Sequence, residues 1–235
     1  MIDRGTVLTD ADFEALESSW IDRANAEKAL LRRVTNIEGA EIVGRTDGHD
    51  YAGIIFPYVW PGNVHPREYR LRRDSPDVSY EKGEKKSIRK YLSPPGRGNL
   101  LYFMPGTPPQ LLDDPALPIV ITEGEKKCIA LWRLAWHDIS DAAERPHFLP
   151  AALPGVWNWR GTVGKETGPN GERVDVKGVI PDFSRITWAS RKVVIAFDSD
   201  VKTNDNVRAA RRELARHLIH ERGALVHFLE IPELP

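Results

Sequence analysis

Three acids carry the chemistry that this sequence offers: Glu123, Asp198 and Asp200. Glu123 closes the run Pro118-Ile-Val-Ile-Thr-Glu123 and is followed by Gly124. Asp198 and Asp200 close the run Val193-Val-Ile-Ala-Phe197-Asp198-Ser-Asp200. Short, continuous, β-branched apolar runs read as strands buried on both faces, as in a parallel sheet. In open parallel sheets, ligands gather beyond the carboxyl ends of the strands, and here both carboxyl ends deliver acids. Asp198 and Asp200 are two residues apart, so in extended chain they point the same way. If the two strands are neighbours, about 5 Å apart, Glu123 faces that pair. Clustered carboxylates repel one another unless a cation joins them. Mg²⁺ with several retained waters suits such a set best. The chemistry expected is metal-assisted phosphoryl transfer. The ion neutralises developing charge on phosphate oxygens, and Glu123 positions a second metal or moves a proton.

The elements that must position these acids are legible around them. Cys128, Leu131, Trp132, Ala135 and Trp136 follow one another at i, i+3, i+4, i+7 and i+8, which predicts a helix with one core face. Cys128 is thereby a buried small hydrophobe. The start of this helix, Glu123–Lys126, offers free backbone N–H groups that favour phosphate, and Lys126 and Lys127 add charge there. Pro181–Trp188 reads as a short helix feeding the strand that ends at Phe197. Thr203-Asn-Asp-Asn206 caps a long helix with Val207, Ala210, Leu214 and Leu218 as its core stripe and Arg208, Arg212 and Arg216 as an outer, solvated stripe. Leu225–Leu229 is expected to be the next buried strand. Gly161-Thr-Val-Gly164-Lys165 lacks the spacing and the Ser or Thr of a phosphate loop, so residues 161–178 are expected to form a hairpin or insertion that could overhang the acidic site. His217 and His220 find no further His or Cys to complete a metal site.

Upstream, Thr9-Asp-Ala-Asp12 is a helix start, with Phe13, Leu16 and Trp20 at helical spacing. A second helical pattern covers Ala24 to Arg33. From Tyr51 the pattern changes. Ile54–Gly62 reads as a strand into a turn, and Glu68–Arg73 as a second strand with Arg70 and Arg72 on one face. Residues 65–97 hold ten Lys or Arg against five acids, with Tyr69, Tyr80, Tyr91 and Tyr102 interleaved in and just beyond them. Basic groups neutralise phosphates and aromatic faces stack bases, although a solvated β-meander with core tyrosines accounts for the same pattern. Residues 104–118 are rich in proline and read as a linker or covering loop.

The order apolar strand, Glu123-Gly124, helix, apolar strand, Asp198-x-Asp200 resembles the Toprim domain shared by bacterial primases, topoisomerases and some nucleases. That resemblance implies an acid/base role for Glu123, Mg²⁺ binding at Asp198 and Asp200, and a small turn after the second strand at Gly155. The stretch Gly53-Ile-Ile-Phe-Pro, Tyr69-Arg-Leu-Arg72, Lys90-Tyr91-Leu92-Ser-Pro, Leu101-Tyr102 upstream is similar to the order in the bacterial replicative primase core. It resembles still more the Toprim-bearing domain fused to helicases in phage and mobile-element replication proteins. By resemblance, Arg70, Arg72 and Lys90 are candidates for backbone or triphosphate contact. The fold class expected is α/β, a Toprim-like (Rossmann-like), mainly parallel sheet flanked by helices and preceded by a small α+β subdomain. Its divisions are residues 1–50, 51–117 and 118–235. The function implied is a Mg-dependent primase-type nucleotidyltransferase making RNA primers on single-stranded DNA from ribonucleoside triphosphates, with Mn²⁺ as a substitute ion and a replicative helicase as a further partner. A Toprim nuclease and a non-catalytic nucleic-acid-binding replication module are the alternatives. The chain departs from the primase pattern in two places. Lys127 stands where primases carry a further acid, and after the last strand only Glu230 and Glu233 remain.

Composition sets outer bounds. The chain has 235 residues with a formal net charge of −1, so any nucleic-acid footprint is local. A chain of this length buries roughly 70–75% of its unfolded surface. One cysteine excludes a disulfide framework and a cysteine-rich zinc site, which suits a cytoplasmic setting. No stretch has the length of a membrane span, and the acidic N-terminus is not a signal peptide.

Overall fold

The computed structural model describes residues 4–81, 84–139, 145–198 and 203–230. The chain divides into two compact units, Met1–Arg97 and Gly98–Pro235.

The first unit opens with α1 (Asp10–Glu17), α2 (Arg23–Lys28), β1 (Arg32–Val34) and α3 (Asn36–Ile42). Thr9 caps α1 through a reciprocal bond with Asp12, and Thr35 caps α3 in the same way with Glu38, each satisfying backbone donors that the helix start leaves open. Helical spacing overreaches twice here. The first helix stops at Glu17, and Trp20 sits at φ +61° with its side chain exposed. The second stops at Lys28; Leu30 turns at φ +57°, and Arg32–Val34 pairs antiparallel with β2 (Gly53–Tyr58). Inter-strand hydrogen bonds thus override a short helical pattern whose own stability is slight. β3 (Glu68–Arg73), the hairpin β4 (Val78–Glu81) and β5 (Glu84–Ile88), and β6 (Tyr91–Leu92) follow. The main sheet runs β1-β2-β3-β6, all neighbours antiparallel. Its Ile55, Leu71 and Val34 pack with Val43 and Tyr51 in one core. Because β1 belongs to this sheet, the N-terminal helices and the β-rich segment form a single unit rather than separate ones.

In the second unit the proline-rich stretch is packed, not a free linker. It contains α4 (Gln110–Asp113), and Leu111, Leu112 and Leu117 are buried. The fully buried Arg191 holds it, donating to the carbonyls of Leu111, Leu112 and Leu117 at 2.7 Å each. Then come β7 (Ile119–Glu123), α5 (Glu125–Ala135), β8 (Leu149–Leu153), the ribbon β9 (Arg160–Thr167) and β10 (Arg173–Val179), a 3₁₀ turn at Pro181–Arg185, β11 (Lys192–Ala196), α6 (Asp205–His220) and β12 (Leu225–Phe228). The sheet order is β12-β11-β7-β8, parallel throughout. The chain moves from β7 one way to β8 and from β11 the other way to β12. Crossovers of the usual right hand then lay α5 and α6 on opposite faces. Val207, Ala210, Leu214 and Leu218 are buried as their spacing predicts, and so is Cys128. β12 differs from expectation. As the edge strand it has one neighbour, and Leu225 and Phe228 are exposed. Among the described residues no helix is long and apolar enough to cross a membrane.

Candidate functional site

The register of β7 against β11 decides where the acids meet. Ile121 pairs with Ile195 and Thr122 with Ala196. β7 runs on to Glu123, and β11 ends at Ala196, two residues before Asp198. Both acids therefore stand at the carboxyl edge of two adjacent central strands. Between these strands the connections part in opposite directions, which makes this edge the topological switch point of a doubly wound sheet, the place where such folds hold ligands. Asp200 lies outside the described residues.

Gly124 makes the corner. Its φ of +88° with ψ of 143° is a region that L side chains do not enter readily. In that conformation its N–H donates to the Leu153 carbonyl at 2.8 Å, and the chain turns directly into α5. No side chain caps α5 at Gly124, and helix starts of this kind favour an anion. Glu125 in that turn is buried, at the helix end where a negative charge is favoured. Burial first, and the Glu125 charge second, push the Cys128 thiol well above its ordinary range. Tyr102, also fully buried, is pushed up for the same reasons, with Cys128 adding to the effect. Glu123 and Lys126 are half-buried. Lys127 forms an ion pair with Asp198, its Nζ on Oδ1, with both side chains nearly half exposed. The first turn of α5 is thereby tied to the segment that leaves β11.

A second tie crosses the same edge. Trp157, four residues beyond the end of β8, donates its indole N–H to Asn206 Oδ1 at 2.8 Å in the first turn of α6. The bond thus joins the segment that follows β8 to the helix that follows β11, and β7 lies between those two strands in the sheet. Next to it the Arg160 guanidinium sits 5.7 Å from the ring centres of both Trp157 and Trp159. Trp159 is buried and stacks on His217 at 5.6 Å, and burial, with the nearby Arg222 charge, lowers the pKa of that histidine. Sequence reasoning placed the hairpin here but passed over Trp157-Asn-Trp159-Arg160. An alternating aromatic and basic run just past a strand end was the signal available.

The basic candidates upstream belong to the first unit. Arg70 and Arg72 alternate with buried Leu71 on β3 and share a face, as their spacing predicts. Tyr91 pairs with Arg72 across the sheet, and its ring lies 5.0 Å from the Arg70 guanidinium. Lys90 is exposed, and its carbonyl accepts from the Arg73 N–H at 2.8 Å.

Among the described residues, no three His, Cys, Asp or Glu side chains gather as a metal cluster. Mg²⁺ commonly takes only one or two protein carboxylates and completes its shell with waters and phosphate oxygens.

Fold and edge together define a doubly wound parallel α/β domain with charged residues at its switch-point edge. The chain belongs to the family DUF3854, a domain of unknown function, whose profile matches residues 109–234. That span runs from the proline-rich segment through the last strand of the second unit. No curated protein matches the chain, and no solved structure matches it.

Proposed function

We propose that this chain is a Toprim-type nucleotidyltransferase of the primase kind, joining ribonucleotides on single-stranded DNA in phage or mobile-element replication. The observation that supports the reading is the placement of Glu123 and Asp198 at the carboxyl ends of adjacent central strands, with Lys127 at the start of α5 paired to Asp198. Glu123 and Asp198, with Asp200, would hold Mg²⁺ or Mn²⁺. The ion would supply charge neutralisation at the transferring phosphate. The chain's own groups do the rest. The backbone N–H groups at the start of α5 and the Lys126 ammonium orient triphosphate oxygens. Glu123 takes the proton of the attacking ribonucleotide 3′-hydroxyl. The new bond forms between that oxygen and the α-phosphorus, and pyrophosphate leaves. Arg70, Arg72 and Lys90 are the proposed nucleic-acid or nucleotide phosphate contacts of the first unit, taken by itself, and a replicative helicase is the proposed partner.

The Lys127–Asp198 pair favours a second reading, a nucleic-acid-binding module that keeps the fold without catalysis, since the chain's own cation already neutralises one acid of the set. One assay separates the readings. Wild type and Asp198→Asn are incubated with single-stranded DNA, ribonucleotides and Mg²⁺ or Mn²⁺. Short RNA made by wild type and lost in the variant supports priming. Shortened DNA supports a Toprim nuclease. Metal-independent DNA binding with neither product supports the module.

A further inference from the structure

We infer that Trp157, Arg160 and Lys177 form a stacking platform that receives one strand of single-stranded DNA beside the acidic edge. The inference rests on the reading above for the choice of DNA. Its structural basis lies in the ribbon β9–β10, a part of the fold that the proposed chemistry does not use.

Three observations converge. The first is position. The ribbon follows β8, whose carboxyl end shares the sheet edge with that of β7, and the Trp157–Asn206 hydrogen bond of 2.8 Å ties the indole to the start of α6. The second is surface chemistry. Two shallow recesses of about 210 and 390 Å³ adjoin each other and share Arg160 and Lys177. One is lined further by Trp159, the other by Trp157 and Asn158. Aromatic faces accept bases of any identity, while cations beside them hold the backbone. The third is charge. Asp175 is shared by Lys177 at 3.3 Å and Lys165 at 3.9 Å. Arg160 is exposed and meets no carboxylate among the described residues; it rests against the two indoles. The ribbon as a whole carries Arg160, Lys165, Arg173 and Lys177 against Glu166, Glu172 and Asp175, and Arg160 and Lys177 are the cations that line the recesses. Open recesses with an indole at the rim suit an unstacked base, and a duplex does not present one.

The test is binding of fluorescein-labelled oligo-dT to the full chain, followed by anisotropy over a range of salt. Trp157→Ala is expected to weaken binding about tenfold, the effect of losing one stacked base, and Trp157→Phe, which keeps a ring, recovers most of it. Arg160→Glu weakens binding further, and Arg160→Ala lowers the slope of log K against log salt by about one. Arg216→Ala, which removes a cation from the outer face of α6, changes neither. Should Trp157→Ala fail to fold, as judged by its thermal melt, the Arg160 variants carry the test. Binding within twofold of wild type for Trp157→Ala and Arg160→Glu overturns the platform, and so does tighter binding of oligo-rU or of duplex. If the variants bind normally while wild type makes RNA that Asp198→Asn abolishes, the platform fails and the primase reading stands. If binding collapses in the variants and wild type joins no nucleotides, the platform stands and the primase reading fails.

Discussion

Lys127, on the first turn of α5, pairs directly with Asp198, the residue that leaves β11. The domain therefore brings its own monovalent cation to the acid on which a divalent ion would sit. An ion arriving at Asp198 must displace the ammonium, and a pair this exposed resists by about 0.2–1 kcal/mol. Lys127→Met removes the competitor. The expected result is up to about fivefold tighter Mn²⁺ binding, read by calorimetry or by the electron spin resonance of free Mn²⁺. The variant should also bind triphosphate less tightly, because the same ammonium is available to phosphate once displaced. Unchanged or weaker Mn²⁺ binding would show that the lysine does not stand between Asp198 and a metal.

Gly124 is the second point where the edge can be probed. Space is not the obstacle, since an added Cβ would meet nothing within 4 Å. The backbone is the obstacle, because φ of +88° with ψ of 143° is almost confined to glycine. Gly124→Ala is expected to cost about 1–3 kcal/mol in urea denaturation. It should also shift the Glu123 corner enough to lower any metal-dependent turnover by more than the stability loss explains. An alanine variant as stable and as active as wild type would contradict the strained-corner account.

Much of this edge was legible in the sequence because its signals are local. The apolar runs ending at Glu123 and Phe197 became neighbouring buried strands, and Asn204 caps α6 as the Thr203–Asn206 loop suggests. What escaped depends on tertiary partners. Arg32–Val34 continues a helical spacing, yet it becomes a strand because β2 supplies hydrogen bonds. Leu225–Phe228 has the composition of a buried strand, but nothing in its composition tells that β12 closes the sheet at an edge. The Trp157–Asn206 tie joins residues 49 positions apart, and no periodicity links them. The α3 start was readable and missed, since Thr35 followed three residues later by Glu38 is a capping box in plain view.

The first unit should carry an acid-sensitive stability. Burial alone would raise the Asp12 carboxyl. Hydrogen bonds from Arg33 and Thr9 outweigh it and hold the pKa at about 2. The folded value lies below that of an unfolded aspartate, so the contribution is full above about pH 4 and fades as pH falls toward 2. With Asp12 buried, the shift corresponds to about 2 kcal/mol. Asp12→Asn is expected to be less stable than wild type by about that amount at pH 7, with the gap closing near pH 2. Urea midpoints of the two proteins at pH 7, 4 and 2.5 provide the check. A gap that stays constant across that range would remove the ionised carboxylate from the explanation.

Arg191 offers the sharpest test of how the second unit is held together. Its side chain is fully buried with no carboxylate bonded to it among the described residues, and it spreads its donors over three main-chain carbonyls at 2.7 Å, those of Leu111, Leu112 and Leu117, and a fourth, that of Thr187, at 3.3 Å. Burial depresses its pKa to about 10, with Asp113 and Asp114 pulling the other way, so it remains charged at neutral pH. A planar fork reaches three divergent acceptors at once, and an ammonium does not. Arg191→Met strands those carbonyls in a dry interior, at about 1–3 kcal/mol for each buried acceptor left unsatisfied. The variant is therefore expected to lose about 3 kcal/mol or more, and Arg191→Lys to recover only part of it. The loss should be local as well as global. Limited proteolysis under native conditions should cut first within residues 104–118, where α4 is no longer clamped against the start of β11. Equal stability of Arg191→Met and wild type, with no new cleavage in that stretch, would mean that leucine packing alone seats the proline-rich segment.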